Sequence, residues 1–439
     1  MFLPQSVLTC INRLEAAGFA AYAVGGCVRD HLLGLTPSDY DLCTAALPEQ
    51  TEALFSDRRL VLAGKKHGTV GVVTEDGVIE ITTFRTEGDY RDNRHPEWVA
   101  FVPDVEEDLA RRDFTVNAMA YSPTRGYTDP FGGRADLEQK VLRAVGDPAK
   151  RFTEDSLRIL RGVRFAVRYS LTPEKHTLDA MTSLRHLMDN LARERVFEEL
   201  CKLLLLISSD DLVRYAPVLA AAIPELERCI GFQQHNPHHL HDVYGHTAQV
   251  VEAMPADLTL RWAALLHDIG KPATFTLDED DRGHFYGHAR ESAALADTVL
   301  RRLKAPTALR EQVVTLIEQH MTPLTPDRKI LRRRLSSLGS ETLQRLLTLQ
   351  EGDWNGKGVD EIRENGDFGA IRRILQEIQA ENSCLSLKDL AVNGHDLMAL
   401  GITGPAIGKG LNRLLRLVLD EQLPNEKNAL LQAAQEVDP

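Results

Sequence analysis

The chain has 439 residues, 43% of them hydrophobic and 26% charged, with a formal net charge of −13. That length holds two to four domains with ample cores, and the composition excludes a disordered chain. No apolar run approaches the roughly 20 residues that span a bilayer, the first thirteen residues lack the regions of a secretory leader, and six scattered cysteines without a CxxC pair predict free thiols in a reducing, cytoplasmic compartment rather than a zinc–thiolate site.

Val7, Ile11 and Leu14 at helical spacing predict a helix ending by Gly18. Tyr22–Val24 then reads as a short strand, followed by Gly25-Gly26 and by Arg29-Asp30 at the start of a short helix. Glycines after a strand let the backbone approach a phosphate, a helix N-terminus offers it free N–H groups, and Arg29 adds a forked cation. In the following SDYDLCT, strand alternation projects Asp39 and Asp41 to one face. Two such carboxylates suit Mg²⁺ together with substrate phosphate.

Pro48–Phe55 predicts a helix; residues 65–75 and 77–84 predict two strands joined at Asp76-Gly77. Glu80 sits in the second strand, and two readings fit it: a third acid beside Asp39 and Asp41, or an edge glutamate facing water. Residues 85–103 are polar and aperiodic, the pattern of a mobile loop. Arg112 and Asp113 precede a predicted helix carrying Val116, Met119 and Ala120, and residues 129–146 predict a turn feeding a β-hairpin. Next, Glu154 and Asp155 open a predicted helix on which Arg158, Arg161, Arg164 and Arg168 spread over one side. Ile159, Leu160, Val163 and Val167 fall opposite. That face reads either as a solvated surface or as a surface that hydrogen-bonds the Watson–Crick edge of a base. The negative net charge does not exclude such a role, since phosphate contacts need only a local basic surface.

Strand, GG, VRD and then DYD about ten residues on resemble the nucleotidyltransferase signature of the polymerase-beta superfamily. The wording GGCVRD…SDYDLCT is similar to its class II tRNA nucleotidyltransferase and bacterial poly(A) polymerase branch. The resemblance implies that Asp39 and Asp41 hold Mg²⁺, with Glu80 as a candidate third catalytic carboxylate. It implies that Gly26, Arg29 and Arg112 bind the nucleotide and that Asn117 supports the site. RTEG…RHP matches the family's flexible loop that positions nucleotide and primer, and EDSLRILR its nucleotide-selecting motif. Asp155 and Arg158 then match the base-reading pair, with Arg161 and Arg164 supporting it or touching nucleotide. The matching signatures run to ARERVFEEL, 192–200.

Beyond residue 235 the chemistry changes. His246, His267-Asp268 and Asp353 form a set of imidazole and carboxylate groups that suits Mn²⁺, Ni²⁺, Fe or Mg²⁺; His288 and His320 lie between them. H…HD…D resembles the HD phosphohydrolase superfamily, which implies a divalent ion and a phosphatase or phosphodiesterase activity. The basic stretch 328–334 reads equally as a solvated helix face or an RNA contact. Residues 390–423 resemble the C-terminal segment of class II enzymes, which grips tRNA; Leu411, Leu414, Leu415, Val418 and Leu419 predict a helix with one buried face.

The expected fold is α+β and mainly helical. A mixed-sheet head (1–125) leads to an all-α neck and body (126–234), an HD domain (235–355) and a helical tail (356–439). The expected activity is template-independent addition of CCA to tRNA from CTP and ATP. The alternatives are a poly(A) polymerase, a CC-only or A-only enzyme, an HD phosphohydrolase with a nucleotide-binding head, and a noncatalytic RNA-binding protein.

Overall fold

The computed structural model describes residues 1–88, 99–236, 240–357, 367–381 and 384–435. These divide into two compact units, residues 1–227 with 302–304, and residues 228–301 with 305–439.

In the first unit, α1 (Gln5–Ala16) buries Val7, Ile11 and Leu14. The apolar AYAV forms β1 (Ala21–Val24), buried along its whole length as a central strand is. It turns at Gly25 into α2 (Gly26–Leu32), and β2 (Asp41–Thr44) returns antiparallel to it, Val24 opposite Asp41. After α3 (Pro48–Leu54) come β3 (Leu60–Val61), β4 (Thr69–Thr74) and β5 (Gly77–Thr83). The β4–β5 hairpin sets β5 parallel to β2, with Asp41 opposite Glu80.

The stretch 85–103 is not a loop throughout. Its ends pair as β6 (Arg85–Glu87) and β7 (Val99–Phe101), while the RHP segment lies outside the described residues. α4 (Val105–Ala110) follows, its N-terminus capped by Asp104. The expected helix around Val116 is instead a single 3₁₀ turn, Thr115–Asn117, running into β8 (Ala120–Ser122). Val116, Met119 and Ala120 are all fully buried, so their spacing carries no helical signature. β8 pairs with β1 and with β9 (Gly126–Thr128), giving a mixed sheet in the order β3-β4-β5-β2-β1-β8-β9.

The expected hairpin at 129–146 is also replaced. α5 (Gly133–Glu138) leads to β10 (Val141–Leu142), which pairs in parallel with β11 (Thr172–Pro173). The Glu154-Asp155 stretch is a helix break rather than a helix start. α6 (Pro148–Glu154) ends there and α7 (Leu157–Tyr169) begins beyond it, burying Ile159, Leu160 and Val163. The unit closes with α8 (Lys175–Ser183), α9 (Arg193–Leu204), α10 (Ser209–Arg214) and α11 (Ala216–Ala222).

The second unit is almost wholly helical. Its first part holds α12 (Val243–Ala253), α13 (Leu258–Leu266), α14 (Lys271–Thr274), α15 (His288–Arg302) and α16 (Thr307–Gln319). α17 (Arg328–Leu338) and α18 (Ser340–Asn355) lead to α19 (Phe368–Ala380), α20 (Gly394–Ala399), α21 (Pro405–Leu419) and α22 (Lys427–Gln435). α21 buries Leu414, Leu415, Val418 and Leu419 in a small core with Leu397 and Leu430. The basic stretch on α17 is largely spent within the unit: Arg328 pairs with Glu381 and Glu421, Arg332 with Glu421, and Arg333 with Asp420. No described helix is long and apolar enough to cross a membrane.

Candidate active site

One cleft of about 510 Å³ opens in the first unit, lined by eight arginines against five aspartates. In a chain of net charge −13, this is a local positive surface. Its floor is the turn after β1. Gly25 takes φ +75°, and a Cβ there would stand 2.9 Å from Arg112 Nη1. The conformational need for glycine is therefore at Gly25; Gly26 already lies inside α2 and lines the cleft beside it.

Asp41 opens β2, while Asp39 lies in the extended approach before it, so only one of the expected pair is in the strand. Both line the cleft. Glu80 faces Asp41 from β5 in direct register, and its side chain is exposed. Burial, then the like charges of Asp39 and Glu80, push the Asp41 carboxyl up to about 6 against the opposing pull of Arg112. The three carboxylates thus share one neighbourhood. Their mutual repulsion fits a group of residues that holds a divalent cation.

Arg29 is 5% exposed and faces the protein as much as the cleft. Nε and Nη2 donate to Asp30 Oδ1 at 2.8 and 2.7 Å, Nη2 also to Tyr169 Oη, and Nη1 to Asn117 Oδ1. Its plane lies over the Tyr169 ring, 4.2 Å from the centroid. With five donors on a guanidinium, this leaves one Nη1 hydrogen for a ligand. Arg29 is chiefly a brace between the glycine turn and α7. Arg112 is freer: Nη2 reaches Asp108 Oδ2 at 3.3 Å, and Nε is buried without a hydrogen-bond partner among the described residues.

Three of the four arginines of α7 are tied to acids rather than solvated. Arg158 and Arg164 are 9% and 7% exposed, each held by an acid. Arg158 donates to Glu154 Oε2 at 2.9 Å and to the carbonyls of Arg151 and Arg111. Arg161 grips Asp113 Oδ2 through Nε and Nη2 at 2.9 and 2.6 Å, and Arg164 donates to Glu199. Burial alone would raise Asp113, but Arg161 and the Asn117 amide override it and hold the carboxyl at about 2. Arg168 is exposed, over the Tyr169 ring.

Asp155 and Arg158, expected as a pair, both line the cleft but do not bond each other. Asp155 accepts from the Leu157 N–H at 3.1 Å, starting α7, and from Arg195 Nη2 at 2.8 Å. Arg195 and Glu199 come from the ARERVFEEL segment and stand four apart on α9, so Glu199 meets α7 while Arg195 meets the break just before it. Sequence reading assigned nothing to Tyr169, Arg195 or Glu199, and took Glu154 only as an acid at a helix start and Asp113 only as the neighbour of Arg112.

The second unit holds a separate buried cluster. His246 Nε2 lies 2.9 Å from Asp353 Oδ1 and 3.5 Å from Asp268 Oδ2. His267 Nε2 lies 3.2 Å from Asp268 Oδ2 and 3.7 Å from Asp353 Oδ1. All four residues expected from the sequence thus meet. Two more arrive with them: His288 Nε2 lies 3.4 Å from Asp268 Oδ1 and 3.4 Å from His320 Nε2. Lys271 Nζ stands 2.7 Å from Asp268 Oδ2 and donates to Gln234. Burial opposes charge on His267, but Asp268 and Asp353 override it and pull its pKa up to about 10. Nitrogen and carboxylate donors without a thiolate fit a first-row divalent ion. The alignment of the rings fits it too: His267 Nε2 and Asp268 Oδ2 are buried without a well-directed hydrogen bond among the described residues.

The family model of the poly(A) polymerase head domain matches residues 21–143. That of the RNA- and SrmB-binding site of polymerase A matches 170–215, and that of tRNA nucleotidyltransferase domain 2 matches 288–434. The chain is 33% identical over 433 residues to a CCA-adding enzyme of Streptococcus thermophilus, covering 97% of this chain and 95% of the relative. It is 34% identical over 426 residues to one of Bacillus velezensis, covering 96% and 95%. Among solved structures it is similar to the Bacillus stearothermophilus CCA-adding enzyme in complex with CTP, with a TM-score of 0.73 at 28% identity over 99% of this chain and 98% of that one. The Thermotoga maritima CCA-adding enzyme complexed with tRNA shares the fold, with a TM-score of 0.61 at 20% identity over 98% and 94%.

Proposed function

This chain belongs to the family of CCA-adding enzymes, and from that premise we propose how its own residues add C, C and A to the 3′ end of tRNA from CTP and ATP. The observation that carries the proposal is the cleft itself, in which Asp39 and Asp41, a glycine turn, and the Asp155 and Arg158 side chains surround one space. Asp39 and Asp41, with Glu80 beside them, would hold Mg²⁺. When bound, that ion neutralises charge on the triphosphate. The tRNA 3′-hydroxyl attacks the α-phosphorus, a new P–O bond forms, and the bond to the β,γ-phosphates breaks to release pyrophosphate. Arg112 and the amides at the Gly25-Gly26 turn orient the triphosphate, and Arg29 holds that turn against α7.

Base choice falls to Asp155 and Arg158. A carboxylate accepts from the exocyclic amino group of cytosine or adenine, which uracil lacks, and a guanidinium donates to ring acceptors. Arg161 and Arg164, tied to Asp113 and Glu199, fix the helix that presents them. We place the head at residues 1–125, the neck and body at 126–234, and a tRNA-holding tail at 356–439. The six cysteines are free thiols, which supports a reducing, cytoplasmic setting. The test is incubation with tRNA lacking its 3′ end, with products sized to one nucleotide. Two additions with CTP alone, none with ATP alone and three with both are expected. A lengthening A tail, or a halt after CC with both nucleotides present, refutes it.

The convergence of His246, His267, Asp268 and Asp353 favours a second reading beside the first. We propose that residues 235–355 form an HD-type metal-dependent phosphoesterase acting on phosphorylated RNA 3′ ends. Release of phosphate from a 3′-phosphorylated tRNA, lost with His267→Ala, tests it.

A further inference from the structure

The glycine turn that floors the first-unit cleft is walled by two guanidiniums. A Cβ on Gly25 would meet Arg112 Nη1 at 2.9 Å, and one on Gly26 would meet Arg29 Nη2 at 3.5 Å. The two cations are held very differently. Arg112 reaches Asp108 at 3.3 Å. Arg29 is fixed on three sides, by Asp30, Asn117 and Tyr169. Its Nη2, the nitrogen beside Gly26, donates to Asp30 Oδ1 at 2.7 Å and to Tyr169 Oη at 2.5 Å.

Tyr169 is itself anchored. It follows Phe165 by one helical turn on α7, so the two side chains share a face. Their rings stack, with centroids 6.1 Å apart at 26°. Phe165 in turn meets the fully buried Phe114 edge-on at 5.9 Å. A column of rings thus runs from the core to the Arg29 guanidinium, which lies 4.2 Å from the Tyr169 centroid. The ring fixes the plane of that cation and the hydroxyl fixes its direction. Burial raises the phenol's pKa; Arg29 opposes this and Asp30 adds to it. The hydroxyl therefore keeps its proton, accepting from Arg29 and donating to Asp30.

We infer that Tyr169 is a positioning residue for nucleotidyl transfer: it holds Arg29 beside Gly26, so that the triphosphate meets a cation already in place. A charge fixed before the substrate arrives needs no reorganisation when it binds. The inference rests on the reading of the glycine turn as the triphosphate seat, and adds a residue that acts on the phosphates alone. Tyr169 is the last residue of α7, whereas Arg158 lies in its first turn, about 16 Å away along the axis. Choice of base is therefore out of its reach.

The test separates phosphates from base. Tyr169→Phe keeps the ring and removes the hydroxyl, and Tyr169→Leu removes both. The full-length parent and variants are titrated with CTP, CMP and inorganic pyrophosphate in Mg²⁺, and assayed for CTP against UTP addition to tRNA lacking its 3′ end. In Tyr169→Phe the Kd for CTP and for pyrophosphate should rise about five- to tenfold, the worth of one hydrogen bond, with the Kd for CMP and the CTP:UTP ratio within about twofold of the parent. Tyr169→Leu should lose more CTP and pyrophosphate affinity, again sparing CMP. Unchanged CTP and pyrophosphate binding in both variants overturns the inference. An equal loss of CTP and CMP overturns it too, since general disorder of α7 gives that result. A parent that binds CTP no tighter than CMP overturns the reading of the glycine turn as a triphosphate seat, and the inference with it.

Discussion

Asp155→Asn separates the choice of base from the folding of the site. Asp155 does two things. Oδ1 accepts from the Leu157 N–H at 3.1 Å, starting α7, and from Arg195 Nη1 at 3.4 Å, while Oδ2 accepts from Arg195 Nη2 at 2.8 Å. Asparagine keeps an acceptor for Leu157, so the helix start survives. It replaces the other oxygen with an amide donor, which repels both Arg195 and the exocyclic amino group of an incoming base. The lost ion pair, with side chains 26% and 18% exposed, costs about 1 kcal/mol of stability. The lost base contact is worth roughly 1–3 kcal/mol, about 5- to 150-fold in discrimination. Single-turnover kcat/KM for CTP and for UTP on a tRNA lacking its 3′ end reads this ratio directly. The ratio should fall by that factor while UTP itself is used no worse than by the parent. Arg195→Ala should lower it less, because the carboxylate stays but loses its anchor. An unchanged ratio in Asp155→Asn, or an equal loss for all four nucleotides, would show that Asp155 does not read the base.

Three further outcomes follow from the same geometry. Asp41→Asn should abolish addition of both CTP and ATP with the fold retained; and since the Asp41 carboxyl of the folded protein keeps its proton up to about pH 6, the Mg²⁺ concentration for half-maximal rate should rise as pH falls through that value. Mg²⁺ dependence unchanged between about pH 5 and about pH 7, roughly one unit either side of that value, would count against that site. Gly25→Ala forces a side chain into φ +75° and against Arg112 Nη1, so nucleotide addition should drop about tenfold or more for a strain of about 1–3 kcal/mol; parental activity there would mean that Arg112 does not need its present place. His267→Ala combined with Asp268→Ala should remove phosphatase or cyclic phosphodiesterase activity yet spare CCA addition to an intact 3′-hydroxyl, and loss of both in a folded variant would show the two chemistries to be coupled.

What the sequence made legible depended on how local the constraint was. β1, the glycine turn and α2 are read off adjacent residues; strand and turn followed as expected, while the helix begins at Gly26 rather than at Arg29-Asp30. The helix expected at Val116 failed because full burial on every side erases periodicity: Val116, Ala118, Met119 and Ala120 are each 0% exposed, whatever the backbone does. The hairpin expected at 129–146 failed because the partner of β10 is β11, some thirty residues away across α7, and no turn residue announces a parallel partner.

The arginines of α7 show where chemistry outruns pattern. Four of them on one side read equally as a wet face or as a reading surface, since spacing says only that they share a side. The structure separates the readings through residues that spacing cannot bring together. Arg161 is met by Asp113 from the turn before β8, and Arg164 by Glu199 from α9. Each acid is itself buried, at 7% and 4% exposure, and a buried carboxylate is tolerated only with its cation in place. Arg161 and Arg164 are thus committed to architecture. Asp155, by contrast, sits on a helix break with a half-exposed partner, and is the member of the motif whose carboxylate remains within reach of a ligand. The same logic extends to the histidine–aspartate cluster of the second unit. H…HD…D named four residues, but His288 and His320 joined them only because their Nδ1 atoms are fastened to carbonyls of their own chain segments. That layer of hydrogen bonds to backbone carbonyls, invisible in a string of letters, is what orients the four imidazoles of the cluster.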